Sequence, residues 1–361
     1  MIPHDSWITK QAIKDTKISV NTKKIGIAMS GGVDSTACAL QLLQHHDVHG
    51  FFMRLAGPDP DKQEQRAHAV ADQLGIDLQV IDLSRAFSTT ILHYFTTTYQ
   101  QGLTPNPCMI CNHTIKFGLF MDAILASGMD AMATGHYARI EKNGDTYHLC
   151  KGSDKAKDQS YFLARLDQYQ LSRALFPLGE RQKEEAYQLV EEHGFSDFRG
   201  QESQDICFLG STPVGQFLSE RIPQAEQAGR IITSDGQDLG THQGLFHYTI
   251  GQRRGLGIAD ISPWYVTALD PEHNSVIIGK EEELYRDTLL IHQPHWHQAP
   301  DAGQICQVKI RYRHQGADAG IKKIDDQRWE IHFDTPQRAV TPGQFAVIYD
   351  HDRVLGCGEI A

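Results

Sequence analysis

Short apolar segments alternate with helical stretches over roughly the first 209 residues of the chain. Residues 25–29, 48–53, 78–81 and 131–133 are mostly apolar, and a helical pattern over residues 36–44 follows the first of these runs. Short apolar runs bounded by polar segments are typical of buried strands, and strands that alternate with helices are typical of a parallel sheet. We therefore predict an α/β unit built on a parallel sheet.

The pattern changes after Gly210. Residues 211–280 have Gly-rich turns, as in the segment 244–257, and few long helical runs. From residue 281 onward, strand-like runs at 305–311, 329–333, 345–349 and 354–360 are separated by Pro-Gly and Asp-rich turns, which predicts a compact β-barrel. We divide the chain into an N-terminal tail (1–24), an α/β domain (25–210), a small central domain (211–280) and a C-terminal β-barrel domain (281–361).

Composition narrows the class of protein. The 361 residues are enough for two or three domains. Residues 1–24 hold no apolar run long enough for a signal sequence or membrane span, which predicts a cytoplasmic protein with no membrane partner. The net charge of −11 is unlike that of a nonspecific nucleic-acid binder. A nucleic-acid partner would need a local basic face, which we expect from Lys151, Lys155, Lys157, Arg311 and Arg313.

The segment 30–35, Ser-Gly-Gly-Val-Asp-Ser, lies between the first predicted strand and the first predicted helix. Adjacent glycines let the backbone approach a polyphosphate, and the helix N-terminus and serine hydroxyls then point at the anion. A P-loop would carry a Lys here, and its absence disfavours a kinase or GTPase. The segment resembles the PP-loop of ATP pyrophosphatases, which hold the β,γ-pyrophosphate of ATP. A plain Gly-Ser turn is the alternative.

This resemblance predicts an ATP site at the carboxyl edge of the sheet, where open α/β sheets bind nucleotides. Met53 ends the second strand and would cover the adenine, with a core methionine as the alternative. Gly135 follows the strand 131–133 and would let the backbone meet the nucleotide. The predicted ATP-binding residues are Ala28, Met29, Ser30, Gly31, Gly32, Val33, Asp34, Ser35, Met53 and Gly135.

The chain has seven cysteines, an odd number that argues against a disulfide scaffold and for thiol or metal chemistry at a few of them. Cys108 and Cys111 form a Cys-x-x-Cys pair in a Pro-stiffened loop before a predicted helix that contains Lys116. A thiol near a helix start and a Lys favours its thiolate, which makes Cys111 a plausible nucleophile. Zinc, a redox dithiol and an iron–sulfur cluster remain open. Cys207 is the natural third thiol, and we expect Cys38, Cys150, Cys306 and Cys357 to be structural.

Several segments together resemble the bacterial-type tRNA-specific 2-thiouridylases, enzymes that replace O2 of the wobble uridine with sulfur. They are 30–35, 50–53, 104–112 with 115–117, 133–137, 157–163, 203–208 and 247–256, so the resemblance covers nearly the whole chain. It implies a PP-loop ATP pyrophosphatase domain, adenine nucleotide α-hydrolase-like, followed by a small central domain and a C-terminal β-barrel. It also implies ATP and Mg²⁺, with Asp34 either a magnesium ligand or a loop-stabilising residue.

The resemblance assigns sulfur chemistry to two thiols. Cys207 would carry a persulfide and Cys111 would attack, resolve or receive the sulfur, leaving a Cys111–Cys207 disulfide. Many family members have an acidic residue where this chain has Cys108. With Cys108, Cys111 and Cys207 together, the chain could instead hold a [4Fe–4S] cluster on three thiolates. We favour the persulfide, and the choice stays open.

The resemblance also names the partners, which are a tRNA with a wobble uridine, expected among the Lys, Glu and Gln acceptors, and a sulfur donor, either a cysteine desulfurase or a sulfur-relay protein. The target base would enter a pocket at Asn106, Pro107 and Cys108, and His136 would contact tRNA or cap its turn. The remaining predicted tRNA contacts are Lys157, Asp158, Gln159, Arg311, Tyr312 and Gln344, for which a solvated loop and an exposed strand face are the alternatives.

Two rival functions remain open at this point. One is another PP-loop synthetase or ligase acting on a small acid, which leaves the cysteines and the barrel unexplained. The other is a noncatalytic nucleotide- or metal-binding RNA module whose cysteines hold zinc, with His113 as a nearby fourth ligand.

Overall fold

A computed structural model describes residues 22–195, 198, 206–223 and 226–361. Most of the predicted tail, residues 1–24, and residues 203–205 of the segment 203–208 lie outside the described residues. The division of the chain at residues 24, 210 and 280 stays a prediction.

The strands in the described residues are β1 (Lys24–Ala28), β2 (Asp47–Arg54), β3 (Leu78–Asp82), β4 (Ala131–Ala133), β5 (Ala138–Asn143), β6 (Thr146–Lys151), β7 (Ala174–Leu175), β8 (Gly229–Thr233), β9 (Asp238–His242), β10 (Tyr265–Asp270), β11 (Ser275–Gly279), β12 (Tyr285–Trp296), β13 (Ile305–Lys309), β14 (Ala317–Lys323), β15 (Arg328–Arg338), β16 (Phe345–Asp350) and β17 (Arg353–Ile360).

The α-helices are α1 (Val33–Leu43), α2 (Pro60–Leu74), α3 (Ser84–Phe87), α4 (His93–Gln100), α5 (Pro107–Cys111), α6 (Met121–Ala126), α7 (Ser160–Leu163), α8 (Gln168–Arg173), α9 (Lys183–Glu192) and α10 (Val214–Ser219). Two segments are π-helical, Ser88–Leu92 and Asn112–Phe120, and two are short 3-10 helices, Leu245–His247 and Glu281–Leu284.

The N-terminal sheet has the strand order β3-β2-β1-β4-β7, and all of its neighbouring strands run parallel. This confirms the predicted α/β unit. Ile25 and Ile27 of β1 are fully buried because the strand lies at the centre of the sheet, with strands on both sides. Helix α1 follows β1 after a short loop, so the ends of β1, β2 and β4 meet beside its N-terminus.

The cysteine-bearing helix begins earlier than we predicted. Asn106 caps it by accepting a hydrogen bond from the Met109 amide (3.2 Å), and Pro107 occupies the first helical position. Cys108 and Cys111 therefore lie in the first turns of the helix, where we had predicted a loop. Proline is well suited to this position because its missing amide hydrogen would have no partner there.

Residues 107–126 form one run of α- and π-helix that is long and apolar enough, by length and composition, to cross a membrane. One face of this run is nevertheless packed inside the protein, where Met109, Phe117, Phe120 and Ile124 are fully buried, while Leu119 is exposed. Burial of this kind identifies a core helix of the α/β unit.

The C-terminal strands form the predicted barrel. Their order is β12-β15-β14-β13-β16-β17, and pairing of β12 with β17 closes it. The central sheet has the order β10-β11-β8-β9. The hairpin β5–β6 of the α/β unit pairs with the barrel through Arg353 and Cys150, so the two units share one core cluster.

A turn of the barrel holds the loop that leads to the two paired cysteines. The Thr104 amide donates to the Pro342 carbonyl (2.9 Å), and Gln344 Nε2 donates to the carbonyls of Thr104 and Pro105 (both 3.0 Å). Gly343 has φ +86°, and a Cβ there would lie 2.9 Å from the Thr104 main chain. The barrel therefore fixes the position of helix α5.

Candidate active site

The loop 30–35 is closed by its own hydroxyl groups. Ser35 Oγ donates to the Gly32 carbonyl (3.0 Å) and accepts from the Ser30 amide (3.3 Å). Gly31 has φ +72°, and a Cβ there would lie 2.8 Å from Cγ of Arg66, so only glycine fits. A Cβ on Gly32 would instead meet only Ser30 Oγ, at 3.5 Å. The space in front of Gly32 is therefore open for a phosphate to approach the backbone amides.

The carboxylate of Asp34 is held from two sides. Lys183 Nζ lies 2.7 and 2.9 Å from its two oxygens, and the Tyr137 hydroxyl donates to Oδ1 (2.9 Å). Gly135 packs so closely that a Cβ would lie 2.7 Å from the Asp34 Cβ. These are the contacts of a loop-stabilising residue. Direct binding of magnesium by Asp34 stays a prediction.

Lys183 and Tyr137 are site residues that sequence reasoning missed. Tyr137 stands at the end of the segment 133–137, which we had used for the family resemblance. Lys183 is 149 residues from Asp34 and begins helix α9, so no local pattern connects the pair. Only the fold brings the two charges together.

The other predicted ATP-site residues line the same edge of the sheet. Met29 and Val33 are buried, and the Met29 amide donates to the Phe51 carbonyl (2.8 Å). Ala28 is half-buried at the end of β1, and Met53 is half-buried near the end of β2. Met53 also packs against two apolar clusters, as the core interpretation expects. Its contact with adenine stays a prediction.

The three thiols of Cys108, Cys111 and Cys207 lie close enough to influence one another. Burial and, to a smaller extent, Cys207 together raise the pKa of Cys108 to about 11. Burial raises the pKa of Cys111 to about 12, against an opposing effect of Lys116. Our prediction that Cys111 favours its thiolate is therefore wrong for this structure, because desolvation outweighs the positive charge. The cysteines we expected to be structural, Cys38, Cys150, Cys306 and Cys357, are all buried.

Cys207 is the accessible member of the group. Its side chain is exposed to water, whereas Cys108 and Cys111 are half-buried. Protein atoms packed around it still raise its pKa by desolvation, and Lys116 lowers it. Phe208 and Leu209, which follow it, are buried in an apolar cluster with Ile115. An accessible thiol beside a half-buried pair is suited to receive a group from outside and pass it inward.

Lys116 is the cation nearest to this chemistry. It lowers the pKa of all three thiols and of His136. It lies in the π-helical segment Asn112–Phe120, which follows Cys111 directly. Within the part of the chain that the structure describes, its ammonium group has no hydrogen bond or ion pair. Sequence reasoning included Lys116 in a motif but not in the site.

Metal binding is not evident in the arrangement of side chains. Among the described residues, no group of three or more His, Cys, Asp or Glu side chains is arranged to hold a metal ion. Three thiols would be suitable donors for an iron–sulfur cluster, but as placed they do not form its ligand set. His113, the candidate fourth ligand for zinc, instead pairs through Nδ1 with Gln170 Oε1 (3.2 Å).

His136 is held in its turn by a neighbour. Its Nδ1 lies 2.6 Å from Thr134 Oγ1, and its ring lies between those of Phe117 (5.7 Å) and Phe176 (5.8 Å). Burial, with a smaller effect of Lys116, holds its pKa well below the ordinary value, so the ring is neutral at physiological pH. These are the contacts of the turn-capping interpretation. A tRNA contact stays a prediction.

The predicted tRNA contacts in the α/β unit have internal partners. Asn106 and Pro107 are buried. The buried Asp158 accepts hydrogen bonds from the Gly152 and Ser160 amides (both 3.1 Å). The Gln159 side chain accepts from the Tyr137 amide (3.0 Å). Contact of any of these side chains with tRNA stays a prediction.

A basic and aromatic surface joins the segment 157–159 to the barrel. The ring of Tyr312 lies 4.5 Å from that of Phe162. Burial raises the pKa of the Tyr312 hydroxyl, and the positive charges of Lys157 and Arg313 lower it. Arg311 turns inward and donates to the Arg338 carbonyl (3.1 Å). A cavity of about 490 Å³ opens beside Arg311 and Arg313.

Lysines continue this surface toward the hairpin β5–β6. Burial lowers the pKa of Lys151, and the nearby ammonium groups of Lys309 and Lys155 lower it further. Asp158 and Asp352 act in the opposite sense, and Asp158 lies 3.8 Å from Lys309, so three lysines and two carboxylates meet on this surface although the whole chain is acidic. Sequence reasoning named Lys151 and Lys155 but missed Lys309. A surface of this kind suits an RNA backbone.

Models of three protein families match consecutive parts of the chain. They are the tRNA methyl transferase HUP domain over residues 23–211, the tRNA methyl transferase PRC-barrel domain over residues 215–280 and the Aminomethyltransferase beta-barrel domain over residues 286–360.

Curated relatives match the chain over almost its full length. The tRNA-specific 2-thiouridylase MnmA of Desulfotalea psychrophila is 50% identical over 337 residues, which cover 93% of this chain and 98% of the relative. The proteins of the same name from Syntrophotalea carbinolica and Syntrophomonas wolfei are 44% and 41% identical, and cover 94% and 93% of this chain and 99% of each relative.

The substitution Gly32→Ala separates phosphate binding from protein stability. The protein leaves room for the added methyl group, so we expect an unchanged midpoint of thermal unfolding without nucleotide. The methyl group would occupy the space in front of the amides, so the affinity for ATP should fall by about tenfold or more. Calorimetric ATP titration and thermal melts measure both. Gly31→Ala is the comparison and should lower stability as well; unchanged ATP affinity in Gly32→Ala would contradict the phosphate site.

The substitution Lys116→Met tests the charge beside the thiols. Lys116 lowers the pKa of Cys111 and Cys207, so its removal raises both values and leaves less thiolate at any given pH. The pH profile of alkylation by iodoacetamide should move to higher pH, with rates at pH 8 lower by up to about tenfold, the effect of one pKa unit. Mass spectrometry of the two cysteine peptides measures the rates. Lys116→Arg should keep the wild-type profile, and an unshifted profile in Lys116→Met would contradict the assignment.

Proposed function

The chain belongs to the family of tRNA-specific 2-thiouridylases, which are tRNA sulfurtransferases, and on this basis we propose that it adenylates O2 of a wobble uridine before replacing that oxygen with sulfur. The products are 2-thiouridine in tRNA, AMP and pyrophosphate. The rival functions, a ligase acting on a small acid and a noncatalytic RNA module, have no support from relatives that match the whole chain.

One observation supports this proposal most strongly, namely that consecutive residues connect the phosphate loop to the thiols. Gly135 packs against Asp34 of the loop. The next residue, His136, packs against Phe117 of the cysteine-bearing helix. Lys116, the residue before Phe117, lowers the pKa of all three thiols. A base activated by ATP at the loop would therefore lie near the sulfur nucleophile.

The first step forms a good leaving group. O2 of the uridine attacks the α-phosphorus of ATP, and the bond to pyrophosphate breaks. The loop 30–35 holds the pyrophosphate through its amides and the N-terminus of α1. Magnesium, when bound, neutralises charge on the phosphates. With AMP attached, C2 becomes open to a sulfur nucleophile.

The second step moves sulfur from Cys207. The terminal sulfur of a Cys207 persulfide attacks C2, and the C2–O bond breaks to release AMP with the former O2. The Cys111 thiolate then attacks the Cys207 sulfur, which leaves 2-thiouridine and a Cys111–Cys207 disulfide. A cellular dithiol reductant restores both thiols. Lys116 stabilises the anionic sulfur in each attack, because the thiols are otherwise disfavoured as anions by burial.

The basic surface and the exposed Cys207 indicate two kinds of partner, an RNA and a sulfur donor. Lys151, Lys155, Lys157 and Lys309 would bind the tRNA backbone, and Tyr312 offers a ring for a base. From the family resemblance, we expect the acceptor tRNAs to be those for Lys, Glu and Gln. The exposed Cys207 would receive sulfur from a cysteine desulfurase or a sulfur-relay protein. The reaction takes place in the cytoplasm.

Adenylation without sulfur transfer is the most direct test of the proposed reaction. With ATP and Mg²⁺ but no sulfur donor, the protein should release pyrophosphate only when unmodified tRNA is added. A transcript with cytidine at the wobble position should give no release if the site is specific for uridine, because cytidine keeps O2 but presents N3 and an amino group where uridine presents N3–H and O4. A coupled pyrophosphate assay measures the rate. Release that is independent of tRNA, or absent with every tRNA, would contradict the proposal.

The sulfur route has its own test. Protein purified without oxygen should thiolate tRNA with a persulfide donor and contain no cluster-level iron or acid-labile sulfide. Cys111→Ala and Cys207→Ala should abolish thiolation, whereas Cys108→Ala should keep most of it. Cluster-level iron together with loss of activity in Cys108→Ala would overturn the persulfide route in favour of a [4Fe–4S] cluster on the three cysteines.

A further inference from the structure

Tyr137 connects the phosphate loop to the segment 152–159. Its hydroxyl donates to Asp34 Oδ1 (2.9 Å). Its main chain makes two hydrogen bonds with Gln159, because the amide donates to Gln159 Oε1 (3.0 Å) and the carbonyl accepts from the Gln159 amide (2.8 Å). The Tyr137 side chain is only 2% exposed, so it has little freedom to move independently of either neighbour.

Lys183 makes a second connection between the same two segments. Its ammonium group binds both oxygens of Asp34. Its main-chain amide donates to Asp154 Oδ2 (3.0 Å), and Asp154 Oδ1 accepts from the Ala156 amide (3.0 Å). Lys183 is therefore fixed at one end to the phosphate loop and at the other to the segment 152–159.

The segment itself is held rigid. Asp158 accepts hydrogen bonds from the Gly152 amide and the Ser160 amide, and so ties the two ends of the segment together. Gly152 lies so close to Tyr137 that a Cβ there would stand 2.7 Å from the Tyr137 carbonyl oxygen. A displacement of this segment would therefore be transmitted to Tyr137.

We propose that the segment 152–159 and the phosphate loop respond as one unit through Tyr137 and Lys183, so that tRNA and ATP strengthen each other's binding. This inference rests on the proposed function, since it takes Lys157 to Gln159 as a tRNA contact. Tyr137 and Lys183 act as positioning residues through Asp34. A coupling of this kind is reciprocal, so each ligand must change the affinity for the other by the same factor.

The test is a binding cycle with the full chain, α,β-methylene-ATP and an unmodified tRNA transcript with a wobble uridine. Calorimetry gives the dissociation constant of the nucleotide with and without saturating tRNA, and their ratio is the coupling factor. We expect tRNA to tighten nucleotide binding by about tenfold in the wild type, within the usual range of coupling. In Tyr137→Phe the factor should fall by part of its value, because the hydroxyl bond to Asp34 is lost while the Lys183 connection remains.

Matched variants separate coupling from general damage. Tyr187→Phe removes the hydroxyl of the other ring that packs on Lys183 and should keep the wild-type factor. Lys183→Gln should lower the factor, and Lys183→Arg should restore part of it by keeping the charge on Asp34. A residue with only a structural role would lower the unfolding midpoint and leave the factor unchanged.

The outcomes distinguish the inference from the function on which it rests. Wild-type factors in both Tyr137→Phe and Lys183→Gln would overturn the inference, as would a factor of one in a wild-type protein that binds and thiolates tRNA. Filter binding measures tRNA affinity separately. Failure of the wild type to bind tRNA at all would overturn the proposed function, and the inference with it.

Discussion

The ion pair between Asp34 and Lys183 is the constraint on which the rest of the site depends. The phosphate loop must offer amides and a helix N-terminus to an anion, yet it carries a carboxylate of its own. Lys183, with a side chain only 10% exposed, offsets that negative charge and holds the carboxylate in place. Tyr137 and the close approach of Gly135 complete the support. The loop can therefore accept polyphosphate although an acidic residue lies inside it.

A comparable balance of burial against positive charge operates at the thiols. The barrel turn 342–344 fixes the loop before helix α5, and Cys108 and Cys111 lie half-buried on that helix. Burial protects these thiols but disfavours their anions. Lys116, in the π-helical segment, opposes that effect and favours the thiolate of Cys111. The barrel is thus part of the support of the candidate active site.

Features encoded locally could be predicted from the sequence. The strand, loop and helix around 30–35 are encoded by a pattern of apolar residues and glycines within about twenty residues. The barrel strands are encoded by short apolar runs separated by turn residues. The start of helix α5 could also be predicted from the sequence, because Asn106 and Pro107 are a typical cap and first helical residue, although our prediction for this segment is a loop. The pairing of Lys183 with Asp34 and the raised pKa of Cys111 could not be predicted from the sequence, since both arise from side chains that only the fold brings together.

The account's central claim is that one site activates O2 of the wobble uridine with ATP and then delivers sulfur to the same carbon. A single-turnover reaction with protein in excess, unmodified tRNA, ATP and a persulfide donor tests it most directly. Mass spectrometry of the tRNA, together with quantified nucleotides, should give AMP and 2-thiouridine in equal amounts, with the sulfur confined to the wobble position. Thiolation without AMP, AMP without thiolation, or sulfur at another nucleotide would contradict the account.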